Sequence, residues 1–501
     1  MSRLSVGSLI MAGFPGLEAP PDFLERVRTG RVGGAVLFGR NVESPAQVKA
    51  LTTSLQDAAR AGGQPPLLIG IDHEGGNVQR LRTGVTRLPS QMAVASSGRL
   101  DLAADLYRQA ARELRAMGIN MNFAPVLDVN NNPANPVIGT RAFSHRPDEV
   151  VRFGIAAIQA WQEGGVIACG KHFPGHGDTA EDSHLTLPLV PHDRDRLDAV
   201  ELLPFREAIA AGLRAIMTAH VQFPAIEPNG LPATLSRRVL TGLMREELGF
   251  SGIIATDSLE MQAIQKTAGT VAGAVAAVLA GSDLCLISHT AAFIAETFDA
   301  LDEAVRHGGI PVHRVEDALR RLEAVRSGLG PDAPPPSPAP ALEAALFGQA
   351  VHQAGEAQNL PLREPARLVS FRAPSQTEAE DLPSRAGAFV AGLAALGLVA
   401  EHHQLPTNPD STAINGVLGG DERLPLVVVW DRAWRFPGQR ALVERAVDNR
   451  TVYVVALTSP FDLQSLPPGV VGLTAFDPTE SAQAALAEAL AGSAPLDPIA
   501  F

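Results

Sequence analysis

Short β-branched runs alternate with longer amphipathic stretches along the chain up to residue 330. The runs predict strands that end near eight positions, which are Met11, Phe38, Ile71, Val126, Cys169, Ala219, Ala255 and Ile287. Apolar residues with helical spacing between them predict helices over 45–60, 101–117, 147–163 and 236–248. Eight strand–helix units favour an α/β fold with a closed (β/α)₈ barrel, and a doubly wound open sheet is the alternative.

A proline-rich segment divides the chain into a larger and a smaller part. Residues 331–340 read PDAPPPSPAP, and six prolines in ten residues disfavour helix and strand alike, so an extended, semi-rigid linker is predicted. Short apolar runs at 426–430 and 452–457 follow it and predict a smaller C-terminal α/β domain. The predicted organisation is a catalytic barrel over 1–330, a linker over 331–341 and an α/β domain over 342–501.

Composition limits the kinds of function that are expected. Hydrophobic residues make up 46% of the 501 residues and aromatic residues only 5%, so aliphatic side chains must fill the core, which suits a barrel surrounded by helices. The formal net charge is −13 and no dense basic run occurs, which argues against nucleic acid as a partner. Cys169 and Cys285 each lie inside an apolar run, which indicates buried, reduced thiols rather than a disulfide.

Two apolar segments are long enough to suggest a targeting or membrane sequence, but neither has the required form. Residues 1–14 contain one arginine and an apolar stretch interrupted by Gly7 and Gly13, so they are interpreted as the first strand rather than a signal peptide. Residues 271–287 form the longest apolar segment, but polar residues interrupt it and it is too short to span a bilayer. No membrane partner and a cytoplasmic location are therefore predicted.

The densest group of chemically active side chains follows the predicted strand 165–170. The loop 171–184 carries three histidines, two aspartates, a glutamate and a lysine among glycines, and a plain structural loop rarely needs such a set. Asp182 and His184 are separated by one residue, so a turn would let the carboxylate hold the imidazole. Such a contact raises the imidazole pKa and fixes its tautomer, which makes His184 a candidate proton donor and acceptor near neutral pH.

Three further polar residues stand after predicted strands. Asp257 ends the apolar run that begins at Ile253, and it is either a nucleophile for a sugar carbon or the N-cap of the next helix. Asp72 has a carboxylate that suits paired sugar hydroxyls, unless it only forms a turn. Arg141, in the segment 139–143, is either a ligand for a polar substituent or a solvated residue.

Together these segments resemble glycoside hydrolase family 3, specifically its bacterial β-N-acetylglucosaminidases (β-hexosaminidases). The segment KHFPGHGDTAEDSHLTLP, residues 171–188, is similar to the family signature almost residue for residue. Four shorter segments support the resemblance, and they are GAVLFGRNV (34–42), IDHEGGNVQRL (71–81), GTRAF (139–143) and ATDSLEM (255–261). The sequence departs from the family pattern at Asn77, where arginine is common, and at Ser144, where glycine is frequent.

The resemblance implies a TIM-like barrel and a retaining mechanism in two steps, without a metal or an organic cofactor. By position, Asp257 matches the family nucleophile, and His184 matches the acid/base, supported by Asp182. The residues that match the binding site of a terminal N-acetylglucosamine are Asp72, Arg80, Arg141, Lys171 and His172. The implied activity is that of an exo-β-N-acetylglucosaminidase, which hydrolyses glycans ending in this sugar through a covalent glycosyl-enzyme intermediate.

A histidine acid/base departs from the usual pair of carboxylates. After it protonates the leaving oxygen a histidine is neutral, whereas a carboxylic acid becomes an anion, so a histidine site repels anionic groups less. The favoured natural substrate is therefore a peptidoglycan (muropeptide) fragment, with N-acetylglucosamine linked β-1,4 to (anhydro-)N-acetylmuramic acid. The same reasoning leaves phosphorolysis by incoming phosphate as an alternative, and a family 3 β-glucosidase is another.

Two alternatives lie outside this family. A metal hydrolase would take its ligands from His172, His176, Asp178, Asp182 and His184, although metal sites in barrels usually gather ligands from several strands. A sugar-binding protein without activity would be expected to lack the nucleophile or the acid/base. Both candidate residues are present in this sequence.

Overall fold

The computed structural model describes residues 5–183, 185–329, 336–355, 359–372, 386–494 and 496–499. Eight parallel strands close into a barrel in the order β1-β10-β9-β8-β7-β6-β3-β2, with strands numbered along the chain. The barrel strands are β1 (Ile10–Ala12), β2 (Gly34–Leu37), β3 (Leu68–Ile71), β6 (Met121–Asn122), β7 (Ile167–Phe173), β8 (Ala215–Thr218), β9 (Ile253–Ser258) and β10 (Leu284–Ile287). Because β1 pairs with both β2 and β10, the sheet is closed and the predicted barrel is confirmed.

An antiparallel hairpin, β4 (His73–Gly75) and β5 (Val78–Gln79), extends from the end of β3. The strand ends agree with the prediction to within a few residues, except at β6 and β7. The prediction ended the fifth barrel strand near Cys169, whereas β7 continues to Phe173. Lys171 and His172, expected in a loop, therefore stand in the barrel sheet itself, where the strand fixes their directions.

Helices connect the barrel strands along the chain. They are α1 (Pro21–Arg28), α2 (Pro45–Ala61), α3 (Gln91–Ser96), α4 (Leu100–Ala116), α5 (Pro147–Glu163), α6 (Arg194–Ala199), α7 (Leu203–Ala210), the π-helix Arg238–Glu247, α8 (Gln262–Gln265), α9 (Thr270–Ala280), α10 (Ala291–Arg306) and α11 (Val312–Ser327). Single 3₁₀ turns lie at Val6–Leu9, Gly39–Asn41, Gly139–Arg141 and Ala233–Leu235. Local signals explain several boundaries: Ser44 caps α2 by accepting from the Gln47 amide, and α5 begins at Pro147. No helix of the described ranges has the length and apolar character needed to cross a membrane.

The barrel interior is filled by alternate residues of the strands. Ile167 and Cys169 of β7, and Ala215 and Met217 of β8, belong to one buried cluster because side chains two residues apart on a strand share a face. Phe123 is the one fully buried aromatic of this cluster, so aliphatic and sulfur-containing side chains do most of the packing, as the composition predicted. Cys169 and Cys285 are buried free thiols, which confirms their predicted state.

The C-terminal part contains a second sheet with the strand order β13-β12-β14-β15-β16-β11-β17. Its strands are β11 (His352–Gly355), β12 (Ala366–Phe371), β13 (Val399–Leu405), β14 (Leu426–Trp430), β15 (Val452–Ala456), β16 (Val471–Thr474) and β17 (Asp497–Pro498). The helices are α12 (Pro340–Ala350), α13 (Gly387–Ala395), α14 (Ser411–Leu418), α15 (Pro437–Ala446) and α16 (Glu480–Leu490), with a 3₁₀ turn at Pro460–Ser465. All residues of β14 and β15 are buried, as expected for parallel strands covered on both faces.

This arrangement confirms a smaller C-terminal α/β unit. Helix α12 begins at Pro340, inside the segment that was predicted to be a linker. Residues 330–335 lie outside the described residues, so the predicted domain boundaries stay a prediction.

The loop that follows β16 and the strand β11 contact the barrel. After β16, Asp477 Oδ2 accepts a hydrogen bond from the Ser90 amide at 2.5 Å, and the Ser90 hydroxyl donates to the Phe476 carbonyl at 2.6 Å. Nearby, His352 Nε2 lies 3.1 Å from the Ser96 carbonyl oxygen. These contacts join the second sheet to α3 of the barrel, next to the β4–β5 hairpin.

Asp462, in the turn after β15, is expected to make the stability of the protein depend on pH. Its side chain is buried, Oδ1 accepts from the Trp434 amide at 3.0 Å, and Oδ2 has no partner among the described residues. Burial raises the pKa of this carboxyl from 3.8 to about 7. The folded state therefore binds a proton that the unfolded state releases between these two values, so this contribution to stability falls as pH rises from about 4 to about 7.

Asp462→Asn removes the titration while keeping the shape of the side chain. The stability of the variant relative to the wild type should rise by about 2–3 kcal/mol between pH 5 and pH 8. Urea unfolding at the two pH values measures the difference. An equal effect of the substitution at both pH values would contradict the prediction.

Candidate active site

A cavity of about 600 Å³ opens at the carboxyl ends of the barrel strands, within the size range of ligand sites. Six of the eight residues predicted for the site line it, and they are Asp72, Arg80, Arg141, Lys171, His172 and Asp257. The other two are Asp182, which does not line the cavity, and His184, which lies outside the described residues. The strand ends that bring these six together are separated by up to 185 positions in the chain, since Asp72 and Asp257 stand at the two extremes.

A buried chain of ion pairs forms one wall of the cavity. Lys171 Nζ lies 2.8 Å from Asp72 Oδ1 and 2.5 Å from Glu74 Oε1. On its other side Glu74 accepts two hydrogen bonds from the Arg141 guanidinium, at 2.8 and 2.9 Å. Arg80 Nη2 reaches Asp72 Oδ2 at 3.4 Å. Each carboxylate thus contacts two cations, which is how charges become tolerable in a buried site.

The charges in this wall hold each member in its ionised form. Burial pushes the pKa of Glu74 upward, but Arg141 and Lys171 outweigh it and keep that pKa at about 2. The pKa of Asp72 is likewise lowered, because Lys171 and Arg80 more than offset its burial. Burial lowers the pKa of Lys171, yet Asp72 and Glu74 leave it raised. At neutral pH the wall therefore presents fixed cationic donors and carboxylate acceptors, a set suited to vicinal hydroxyl groups.

Glu74 was not singled out from the sequence, and the hairpin explains its position. It lies in β4, between Asp72 and Gly75, and only 1% of its side chain is exposed. Gly75 has a φ of +112°, and a Cβ there would lie 2.2 Å from the Pro89 carbonyl oxygen. Only glycine fits this close approach. The turn directs Glu74 back toward Lys171.

A second residue missed from the sequence, Asp128, orients His172. Asp128 is fully buried, and its Oδ2 lies 2.7 Å from His172 Nδ1. It also accepts from the amides of His172 and His176. Asp128 follows the apolar run that was predicted to end near Val126, so the rule used for Asp72 and Asp257 would have found it.

The described part of the histidine-rich loop is held by its own hydrogen bonds. His176 is buried, with Nδ1 2.8 Å from the Thr179 hydroxyl and Nε2 2.8 Å from the Ser183 hydroxyl. Burial and the neighbouring His172 lower the pKa of His176 to about 4, so its ring is neutral at pH 7. Ser183 lines the catalytic cavity. The lining of the cavity therefore includes the residue that immediately precedes His184 in the sequence.

The residues proposed as an alternative metal set do not gather in the described part of the loop. Asp178 instead lies 2.5 Å from His192, which is outside the loop. Among the residues that the structure describes, Asp178, His192 and Glu201 form the one group with metal-ligand spacing. Arg196 lies 2.6 Å from Glu201 and 3.7 Å from Asp178, so a guanidinium already balances both carboxylates. This cluster is accounted for as ion pairing at the base of the loop.

Asp257 stands near the end of β9 and faces the cavity. Its Oδ1 accepts a hydrogen bond from the Ser258 amide at 2.7 Å. The next helix, α8, begins at Gln262, and Met261 occupies its N-cap position. The alternative reading of Asp257 as a helix cap is therefore wrong. A carboxylate at the open end of a barrel strand, opposite a wall of hydroxyl-binding groups, has the placement that a nucleophile for a sugar carbon needs.

Fold and site together define a barrel enzyme of the glycosidase class. The chain belongs to glycoside hydrolase family 3, because residues 4–325 match the family model described as the Glycosyl hydrolase family 3 N terminal domain. The resemblance noted in the sequence is thereby confirmed.

Known relatives agree with this membership. A solved glycoside hydrolase family 3 beta-N-acetylglucosaminidase from Paenibacillus sp. str. FPU-7 is 40% identical, with a TM-score of 0.90, and the match covers 99% of this chain and 97% of that one. The beta-hexosaminidase of Alkalilimnicola ehrlichii is 39% identical over 352 residues, which are 67% of this chain and 98% of that protein. Beta-hexosaminidase A of Pseudoalteromonas piscicida is 35% identical over 398 residues, which are 71% of this chain and 65% of that protein.

Proposed function

We propose that this protein is a retaining exo-β-N-acetylglucosaminidase that hydrolyses terminal β-linked N-acetylglucosamine from glycans. The observation that carries the proposal is the convergence of Asp257 with the ion-paired wall of Asp72, Lys171 and Arg141 in one cavity. The likeness to a beta-N-acetylglucosaminidase over nearly the full length of the chain supports the same activity.

The wall is assigned to the terminal sugar. Asp72 accepts hydrogen bonds from ring hydroxyls, and Lys171 and Arg80 supply donors beside it. Arg141 and His172 bind the remaining polar substituents, with Glu74 and Asp128 holding them in place. Because their partners already fix these side chains, little reorganisation is needed when the sugar binds.

The reaction proceeds in two steps. Asp257 attacks the anomeric carbon while the bond to the leaving oxygen breaks, and that oxygen takes a proton from His184. The neutral His184 then removes a proton from water, which attacks the anomeric carbon and displaces Asp257. Two inversions retain the anomeric configuration. Asp182 supports His184, and both assignments rest on their positions in the sequence.

The substrate is proposed to be a peptidoglycan fragment in which the leaving sugar is (anhydro-)N-acetylmuramic acid. A histidine acid/base carries no negative charge after it has given up its proton, so an anionic group on the leaving sugar meets less repulsion than beside a carboxylate. The cytoplasmic location inferred from the sequence is consistent with a role in recycling such fragments.

Turnover of the 4-nitrophenyl β-glycosides of N-acetylglucosamine and glucose, with and without phosphate, tests the proposal. We expect a clear preference for the N-acetylglucosamine glycoside, with the β-anomer of the free sugar as the first product in an NMR time course. The α-anomer as first product would contradict retention. Acceleration by phosphate with a sugar-1-phosphate product would show a phosphorylase instead, and a preference for glucose would show a β-glucosidase.

A further inference from the structure

A second, smaller cavity lies between the barrel and the C-terminal sheet. On the barrel side it is lined by the segment from Asn130 to Arg141, and on the other side by residues that follow β14 and β15, among them Arg432, Trp434 and Ser459. This cavity is called the interface cavity below.

The interface cavity shares part of its wall with the catalytic cavity. Val137 and Arg141 line both of them. Arg141 turns its Nε and Nη2 atoms toward Glu74 in the catalytic wall, while its Nη1 donates to the Val137 carbonyl oxygen at 3.0 Å. The interface cavity therefore lies directly beside the catalytic cavity, on the side of the C-terminal unit.

The lining of the interface cavity is cationic, although the protein as a whole is acidic. Three arginines line it, with asparagine, serine and threonine side chains, and no aspartate or glutamate of the described ranges does. The carboxylate of Glu74 neutralises the charge of Arg141. Arg432 Nε lies 3.9 Å from Asp431 Oδ1, which also accepts from the Thr458 hydroxyl, and the third arginine, Arg435, is exposed. In a chain with a net charge of −13, a lining that combines three guanidinium groups with hydroxyl and amide groups favours an anion.

The size of the interface cavity and the rigidity of its lining limit which ligands fit. The cavity measures about 50 Å³, which admits a carboxylate-sized group but not a sugar ring. Arg432 has a φ of +56°, a conformation that a non-glycine residue keeps only when its surroundings hold it. The Trp434 amide is held by Asp462, and the Trp434 side chain is 36% exposed, so an apolar face stands beside the cations.

We infer that the interface cavity is an anion subsite, in which Arg432 and Arg435 bind the carboxylate carried by the sugar on the leaving side of the scissile bond. The inference rests on the proposed function and makes the C-terminal unit a determinant of substrate specificity. A muramic-acid-type sugar, which carries its carboxylate on an ether substituent, has the required chemistry, whereas a neutral amino sugar does not.

The test compares kcat/KM for three β-1,4-linked disaccharides of N-acetylglucosamine. The leaving sugars are N-acetylmuramic acid, its methyl ester and a second N-acetylglucosamine. In the wild type we expect the free acid to be preferred over the ester and over the neutral disaccharide. In Arg432→Gln the ratio of acid to ester should fall by about tenfold or more, the loss expected for one charge-assisted hydrogen bond. Arg435→Gln should lower the same ratio.

Arg445→Gln is the matched control. Arg445 lies in α15 of the same sheet unit, outside the interface cavity, where it contacts Asn415 and Ser411. This variant removes the same charge and should leave the ratio of acid to ester as in the wild type. An equal fall of the ratio in Arg445→Gln would show a long-range charge effect and overturn the subsite.

The remaining outcomes separate this inference from the proposed function. Equal use of acid and ester by the wild type would overturn the anion subsite and leave the glycosidase assignment standing. Turnover of none of the three disaccharides, nor of the 4-nitrophenyl glycoside, would overturn the proposed function. If phosphate accelerated turnover and Arg432→Gln abolished that acceleration, the bound anion would be free phosphate, and the assignment to a substrate carboxylate would be wrong.

Discussion

Asp257→Ala is expected to lower kcat for the 4-nitrophenyl N-acetylglucosamine glycoside by on the order of 10⁴-fold or more, as for removal of a nucleophile in other covalent mechanisms. Without the carboxylate the covalent intermediate cannot form, and the ion-paired wall alone only binds the sugar. The loss should therefore fall on kcat more than on KM. Steady-state kinetics on the aryl glycoside measure both.

Structural damage is a weak explanation for such a loss, because Asp257 is partly exposed and lines the catalytic cavity instead of packing in the core. The unfolding midpoint of Asp257→Ala should accordingly stay close to that of the wild type. Azide added to Asp257→Gly gives a second readout, since it occupies the vacated position and should restore turnover with a glycosyl azide of inverted configuration as product. Activity of Asp257→Ala within about tenfold of the wild type would exclude the nucleophile role.

Glu74→Ala is expected to have the largest effect on stability, and to raise KM as well. Glu74 is buried between Lys171 and Arg141, so its removal leaves Lys171 paired with Asp72 and leaves Arg141 bonded to the Val137 carbonyl oxygen, without its carboxylate. Removing one member of a buried ion pair costs about 3–5 kcal/mol, because the other member stays buried without compensation. Urea unfolding measures the loss, and the rise in KM reports the displaced Arg141 and Lys171.

Glu25→Ala is the matched control. Glu25 accepts the same bidentate pair of hydrogen bonds, from Arg28 at 2.7 and 2.6 Å, but both side chains are exposed. Exposed ion pairs contribute little to the free energy of unfolding, so the urea midpoint of Glu25→Ala should stay close to that of the wild type. Similar losses of stability in Glu74→Ala and Glu25→Ala would show that the effect of Glu74→Ala does not come from the burial of its ion pairs.

The pH dependence supplies an independent check on Glu74. Its pKa of about 2 in the folded protein is below its ordinary value of 4.5. A depressed carboxyl pKa adds stability that is fully present above the unfolded value and is lost as pH falls toward the folded one. The difference between wild type and Glu74→Gln should therefore shrink between pH 4.5 and the lowest pH at which the protein stays folded.

The barrel and most of its site were predictable because they depend on local patterns. Strand and helix periods are properties of consecutive residues, and the strand ends of a parallel barrel must meet at one face. A polar residue after an apolar run is therefore a candidate wherever it occurs, which is how Asp72 and Asp257 were found. For Arg80, Lys171 and His172 the motif resemblance was needed, and the structure places these three in the cavity together with Arg141.

What escaped prediction depends on pairings between distant parts of the chain. Glu74 looked like one of several polar residues in a turn, and only the approach of Lys171, 97 positions later, makes it the centre of the wall. Asp128 gained its role from contact with His172, which itself stands in a strand longer than the apolar run suggested.

By itself the sequence determined the α/β class, the buried thiols and the carboxylates at the strand ends, since these follow from the period and order of apolar residues along the chain. The same pattern favoured a closed barrel but left an open sheet as the alternative, and the pairing of β1 with both β2 and β10 decided between them. The tertiary structure decided which charges neutralise one another and where the second sheet meets the barrel. Arg432 lies 291 positions beyond Arg141, yet both line one cavity. No local pattern encodes that proximity, because it is set by the packing of two separate sheets and by the burial that makes their charges interact strongly.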